Sequence, residues 1–158
     1  MQRTVVIHFI ITLAVPSFSA AAVTKLPPED RKVLEDSSRF QELYVATKLP
    51  RAIVGLCADD RGRFAEPGQN WRATDAVSDD SLPRKRLIWA AVGGEYYVVH
   101  YERGGRGHSF HVLIATFAKG DQKPKVVWRG VGERLKNYSA FLSALRSGKL
   151  DDRLDYAH

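Results

Sequence analysis

The chain has 158 residues, of which 44% are hydrophobic and 27% charged, a balance typical of globular proteins and not of disordered ones. Its formal net charge is +6, yet it contains no long block of Lys and Arg, so the charge favours an anionic partner other than nucleic acid. A single cysteine, Cys57, excludes an internal disulfide framework, and the fold must therefore depend on an apolar core.

The first 22 residues have the order of a secretory signal peptide. A basic start precedes a short apolar run at residues 5–15, and small residues follow it. The run is shorter than the ~20 residues that a transmembrane helix needs. We therefore expect cleavage after Ala21 or Ala22, and a secreted or periplasmic protein with no membrane span in its mature form.

The segments before the middle of the chain predict helices and one strand. Residues 28–47 predict one interrupted helix or two short ones, because prolines and acidic residues precede apolar residues at helical spacing. Residues 50–58 predict a helix, with a β-strand as the alternative. On either interpretation Cys57 has apolar neighbours, so we expect a buried, unreactive thiol. The alternating segment Trp71–Val77 predicts the first strand of a sheet.

The stretch from Arg86 to Val131 organises the rest of the chain. Four runs rich in Val, Ile, Tyr, Phe and Trp are separated by Gly93-Gly94, by a glycine-rich loop at 103–107 and by a polar break at 118–124. This spacing predicts consecutive antiparallel hairpins, with Gly93-Gly94 supplying the positive φ angles of the first turn. Both alternations of these strands are apolar, which predicts helices on both faces, a curled sheet or a partner surface on one face.

Apolar residues three and four apart from Leu135 to Leu145 predict a C-terminal helix, with Gly148 suited to the position after its end. The predicted fold is α+β: a five-stranded antiparallel meander sheet at about 70–131, with N-terminal helical segments and a C-terminal helix packed against it. We expect one domain over residues 23–150 and a polar tail at 151–158. The architecture resembles cystatin-like folds and small periplasmic inhibitors, without any shared motif, and fold alone does not imply function.

Three histidines near the second hairpin, His100, His108 and His111, form a candidate metal or catalytic site. With a four-residue loop, His100 would oppose His111, and Glu102 would lie on the same face of the sheet. Opposed Cβ atoms are ~4.5–5.5 Å apart, close enough for two imidazoles to share a divalent ion. The hypothesis depends on the register, and no HExxH or paired CxxC motif supports it. The alternative is half-buried, hydrogen-bonded histidines.

The arginine–glycine loop at 103–107 is the candidate binding site. Arg103 and Arg106, with Tyr101 and His108 beside them, are suited to carboxylate or phosphate recognition at a hairpin tip. A solvated turn is the alternative. Further cations could extend the same surface, although their facing does not follow from the sequence: Arg84, Lys85, Arg86, Arg129, Arg134 and Lys136.

Catalytic patterns are weak by comparison. Cys57 and Ser109 are conceivable nucleophiles, but no GxSxG nucleophile elbow and no cofactor-binding motif occurs. The sequence therefore predicts an exported, non-enzymatic binding protein, such as an inhibitor, an immunity protein or an envelope-associated factor. Its partner would be an acidic protein or an anionic component of the envelope. The alternative is a small exported hydrolase or metal-binding protein that uses His100 and His111.

Overall fold

The computed structural model describes residues 25–76 and 79–150. The predicted signal peptide, its cleavage sites and the polar tail at 151–158 lie outside these residues. No helix within the described ranges combines the length and the hydrophobicity that crossing a bilayer requires. The helices and strands in chain order are α1 (Pro28–Glu35), β1 (Gln41–Leu43), α2 (Arg51–Cys57), β2 (Lys85–Gly93), β3 (Tyr96–Arg103), β4 (Ser109–Thr116), β5 (Lys125–Gly132) and α3 (Tyr138–Arg146).

In the described part of the chain, five strands form one antiparallel sheet in the order β1-β2-β3-β4-β5. The predicted α+β meander with helices packed against it is therefore confirmed. The helix predicted for residues 50–58 is confirmed as α2, and the predicted C-terminal helix is confirmed as α3. The Asn137 side chain caps α3 by accepting a hydrogen bond of 2.9 Å from the Ala140 amide.

The first strand lies where a helix was predicted. Gln41–Leu43 pairs with residues 90–92 of β2. The segment 28–47, predicted as one interrupted helix or two short ones, therefore contains α1, a 3-10 turn, β1 and the start of a second 3-10 turn at Ala46–Lys48. The segment predicted as the first strand contains no strand over residues 71–76, where Thr74 forms a single bridge to Gly105. A strand of three residues is too short to show a period of two, so no local pattern marks it.

Helices cover both faces of the sheet, which explains the two apolar alternations. One face packs against α1 and α3, with a core that includes Leu34, Trp89, Val98, Val112, Ile114, Trp128, Phe141 and Leu145. The other face packs against α2, with a core that includes Ile53, Cys57, Leu87, Val99, Tyr101 and Leu113. Of the three arrangements that the sequence left open, the protein has helices on both faces.

The β2–β3 turn consists of Gly94 and Glu95, because Gly93 still pairs with Tyr96. Gly94 has a φ of +63°, whereas Glu95 has no positive φ, which is the pattern of a type II′ turn with glycine at its first position. Gly93 serves a different purpose: a Cβ atom there would lie 2.9 Å from the Phe40 ring. The Phe40 ring therefore packs directly against the backbone of β2 and holds the segment before β1 against the sheet.

The burial of Cys57 gives a direct test of this packing. The side chain is fully buried, and burial raises the pKa of its thiol to about 12, so almost no thiolate exists at neutral pH. We expect a thiol reagent to label the native protein slowly and the urea-unfolded protein rapidly. A matched control is Cys57→Ala combined with Ser143→Cys, which moves the thiol to an exposed position on α3. Native labelling of Cys57 as fast as that of the control would contradict the packing.

Candidate functional site

The hairpin formed by β3 and β4 has a register that differs from the predicted one. Tyr101 pairs with His111 and His100 pairs with Val112, because the loop between the strands contains five residues, 104–108. The side chains of His100 and His111 therefore extend from opposite faces of the sheet. The predicted opposition of these two histidines is wrong. Among the described residues, no group of three or more His, Cys, Asp or Glu side chains is placed to hold a metal ion.

His100 is fully buried and both of its ring nitrogens are hydrogen-bonded. The backbone amide of Leu135 donates to Nε2 at 3.0 Å, and Nδ1 donates to the carbonyl oxygen of His111 at 2.9 Å. Because an amide can only donate and a carbonyl can only accept, the imidazole is neutral with its proton on Nδ1. Burial lowers the pKa of His100 to about 4. His100 therefore connects β4 to the segment before α3, which is a structural role.

His111 faces the α2 side of the sheet and lies flat against Tyr101. The two rings are 5.0 Å apart at an interplanar angle of 12°, and the Nε2 atom of His111 is 2.8 Å from Oγ of Ser109. Burial, together with the positive charges of Arg103 and Lys85, lowers the pKa of His111 to about 4. A histidine with this pKa is a weak general base at neutral pH, which argues against activation of Ser109 as a nucleophile.

Glu102 is buried and both of its carboxylate oxygens are occupied. Arg86 Nε donates to one oxygen at 2.7 Å, and His108 Nε2 is 2.7 Å from the other. Trp71 packs edge-on against the His108 ring, and the guanidinium of Arg86 lies 4.9 Å from the Trp71 ring centroid. These contacts hold the segment around Trp71 to the hairpin, so Glu102 and His108 stabilise the loop and are not free to bind a ligand.

The arginine–glycine loop is packed and does not project as a free tip. A Cβ atom on Gly104 would lie 2.0 Å from the carbonyl oxygen of Arg72, so only glycine fits there. The Gly104 amide also donates to the carbonyl of Arg84 at 2.9 Å. Arg103 is the last residue of β3 and is half-buried, whereas Arg106 is exposed. Of the two arginines that were expected at a hairpin tip, only Arg106 is fully exposed.

Cationic side chains from β2, β3 and β5, from the residue before β2 and from the arginine–glycine loop converge at this end of the sheet. We call this set the cationic face, and it consists of Arg84, Lys85, Arg103, Arg106 and Arg129. A β-bulge between Leu87 and Trp89 shifts the alternation of β2 and so places Leu87 and Lys85 on the α2 side. Arg129 reaches the same side because it pairs with Leu113, which belongs to the α2-side core.

Two connected pockets open onto the cationic face. The α2 pocket, of 390 Å³, is lined by Leu56, Ala58, Asp59, Asp60, Arg84, Lys85, Arg103 and Arg129. The loop pocket, of 360 Å³, is lined by Asp75, Arg84, Ser109 and residues 103–107. Arg84 and Arg103 line both pockets, so the two openings form one continuous basic surface.

The positive charges of this surface are only partly compensated within the chain. The side chains of Arg103, Arg106 and Arg129 make no ion pair or hydrogen bond with the described part of the chain. Arg84 is 3.9 Å from Asp75, and both of these side chains are more than 40% exposed, so the pair contributes little. The Nζ atom of Lys85 donates to the carbonyl of Ala58 at 2.9 Å, and burial lowers the pKa of this lysine.

The acidic side chain inside the α2 pocket is already occupied. Asp59 accepts hydrogen bonds from the amides of Arg61, Arg63 and Arg84, and it forms an ion pair of 3.1 Å with Arg63. Burial alone would raise the pKa of Asp59, but these hydrogen bonds outweigh it and lower the pKa. The Asp59 carboxylate therefore stays charged and bound to its own loop, and does not neutralise Arg103 or Arg129.

Comparison of the chain with protein-family models, with curated proteins and with solved structures gave no match. Any functional conclusion therefore depends on the geometry of the site itself.

The predicted binding residues are only partly brought together. Arg103 and Arg106 line the loop pocket, but Tyr101 is buried beneath His111 and the imidazole of His108 is held by Glu102. Of the further cations that the sequence offered, Arg84, Lys85 and Arg129 join the site. Arg86 does not, because it binds Glu102. Period-two alternation alone would have placed Lys85 on the wrong face, since the bulge in β2 has no sequence signal.

The two buried histidines predict a loss of stability in acid. Each has a pKa of about 4 in the folded chain, compared with 6.5 for an unburied histidine. Between these values the unfolded chain binds more protons, so the free energy of unfolding falls as the pH decreases from 6.5 towards 4. Each histidine contributes roughly 3 kcal/mol, which is fully present above the unfolded pKa and lost as the pH falls through the folded one.

Urea unfolding at a series of pH values measures this dependence. The variant His111→Gln, which keeps a polar group near Ser109, should have about half the pH-dependence of the native chain between pH 6.5 and pH 4. An identical slope in the two proteins would show that His111 is not held neutral by the fold.

Proposed function

We propose that the chain is an exported, non-enzymatic binding protein whose partner presents clustered negative charge to the cationic face. The observation that carries this proposal is the grouping of Arg103, Arg106 and Arg129, three guanidinium groups without a partner in the described chain, around two connected pockets. Like charges repel, and part-burial increases the cost, so such a grouping opposes folding. An anionic partner removes this penalty and forms charge-assisted hydrogen bonds in its place.

The state of the potential catalytic groups supports binding over catalysis. The Cys57 thiol is buried with a pKa of about 12, which leaves it protonated at neutral pH. His100 has both ring nitrogens engaged by the backbone, and the low pKa of His111 makes it a poor base. Most of the cations that line the two pockets are guanidiniums, which recognise carboxylates and phosphates but do not exchange protons at neutral pH.

Export is supported by the N-terminal sequence, whose order of basic, apolar and small residues is that of a signal peptide. Expression of the full-length chain in a bacterial host should yield protein in the periplasm or the medium that begins near Ala22 or Val23. Intact mass spectrometry measures this N-terminus. Recovery of exported protein with Met1 still present would contradict cleavage, and retention in the cytoplasm would contradict export.

Binding is tested with two anionic surrogates, poly-L-glutamate for an acidic protein and phosphatidylglycerol vesicles for an anionic envelope component. We expect the native chain to bind at least one of them, and the double variant Arg103→Ser with Arg106→Ser to weaken this affinity about tenfold or more. The free energy of unfolding should change by about 1 kcal/mol or less, because neither side chain has a hydrogen-bond or ion-pair partner among the residues that the structure describes. The affinity should also fall as salt rises, since exposed charges are screened over ~10 Å at 0.1 M salt.

A matched control separates this site from net charge. The double variant Lys119→Ser with Lys123→Ser also removes two positive charges, but from the exposed loop at the other end of β4. The control should bind like the native chain. Equal losses in the two double variants, or no binding of either surrogate at low salt, would overturn the proposed function.

A further inference from the structure

The α2 pocket differs from the rest of the cationic face because its charges are partly withdrawn from water. Lys85 is half-buried, with its ammonium directed to the carbonyl of Ala58 at the end of α2 and 5.7 Å from the Tyr101 ring centroid. Arg103 and Arg129 are also half-buried and lie on the same side of the sheet. Charges in such a setting interact more strongly with a ligand than fully solvated ones do.

The charge of this pocket matches that of a dianion. Four cationic side chains and two carboxylates line it, which gives a net charge of +2. One of the carboxylates, Asp59, is bound by Arg63 and by three backbone amides, and the other, Asp60, is exposed. A single carboxylate would neutralise only one of the two arginines, Arg103 and Arg129, that have no ion-pair partner in the described ranges. A phosphate monoester carries a charge of about −1.5 to −2 and has three peripheral oxygens, which is enough to accept hydrogen bonds from two guanidiniums.

We propose that the α2 pocket binds the phosphate group of a phosphate monoester through Arg103, Arg129 and Lys85. This proposal rests on the proposed function, because it specifies the anionic group that the cationic face recognises. Each guanidinium presents a planar fork that fits two phosphate oxygens, and the ammonium supplies a point charge beside them. At 390 Å³, the pocket also has room for the group that carries the phosphate. The phosphate belongs to a small metabolite or to a lipid headgroup, since both present the same monoester.

The choice of test ligands distinguishes a phosphate monoester from a carboxylate, and a free small molecule from a lipid headgroup. Calorimetric titration with glycerol phosphate tests a free monoester, and titration with acetate and glutamate tests carboxylates. Vesicles of phosphatidic acid present a phosphate monoester on a lipid, whereas vesicles of phosphatidylglycerol present a diester. We expect saturable binding of the monoester and little binding of the carboxylates. Binding of phosphatidic acid vesicles but not of glycerol phosphate would assign the monoester to a lipid. Equal affinity for glutamate, or no saturable binding of any monoester, would overturn the proposal.

Single-charge variants locate the binding within the protein. Arg129→Gln removes a guanidinium that lines the α2 pocket but not the loop pocket, and Lys123→Gln removes a charge from the exposed loop between β4 and β5, which lines neither of these pockets. The first variant should weaken the monoester affinity about tenfold or more, and the second should leave it within about twofold. Arg129→Lys, which keeps the charge without the planar fork, should recover part of the loss. Equal effects of Arg129→Gln and Lys123→Gln would assign the binding to diffuse net charge and contradict a site in the α2 pocket.

The imidazole of His111 gives a readout that reports on the pocket alone. Arg103, Lys85 and Arg129 each help to lower its pKa, so a bound phosphate monoester, which keeps at least one negative charge below its second pKa of about 6, should raise the pKa of His111 in an NMR titration. A pKa that does not move when glycerol phosphate binds would place the ligand elsewhere. The two proposals also fail separately: poly-L-glutamate binding that depends on Arg103 and Arg106, without any monoester binding, would retain the proposed function and remove only the phosphate assignment.

Discussion

Trp89, Val98 and Ile114 on one face of the sheet, and Leu87 and Leu113 on the other, are almost completely removed from water. Burial of a side chain of this size stabilises the fold by roughly 1.5–3 kcal/mol, so neither face of the central strands can be exposed to a partner without a large loss of stability. The margins of the sheet can be reached by a ligand without this loss. The cationic face occupies one such margin, beside the C-terminal end of α2, where the starts of β2 and β4 meet the end of β3.

Burial on both faces of the sheet also determines the hydrogen bonding and the charge of His100 and His111. A polar ring inside an apolar layer must have its nitrogens hydrogen-bonded, and His100 satisfies this requirement with one backbone donor and one backbone acceptor. His111 lies on the opposite side, between Tyr101 and the cations of the pocket, where it remains neutral. The core is therefore uncharged at the histidines, and the positive charge of this region is carried by the arginines and Lys85 at its border.

The parts of the structure that follow from local patterns were predictable, namely the α+β class, α2, α3 and the apolar meander. The parts that depend on distant contacts were not. The loop between β3 and β4 has five residues, and this length sets the register of the two strands. Two contacts that are distant in sequence or have no local pattern accompany this loop: Gly104 against Arg72, and His108 with Glu102. The site was half predictable for the same reason: Arg103 and Arg106 are neighbours in sequence, whereas Lys85 reaches them only through a bulge in β2.

A strand that is apolar on both alternations has an unusual weakness. Sliding β4 by one residue along β3 would exchange one set of hydrophobic side chains for another, so burial alone distinguishes poorly between the native and the misaligned pairings. The polar contacts inside the core do distinguish them, because a slip would remove the carbonyl of His111 from the Nδ1 atom of His100. The buried imidazole of His100 can thus favour correct folding, because a slip of β4 along β3 would cost it one of its two hydrogen bonds.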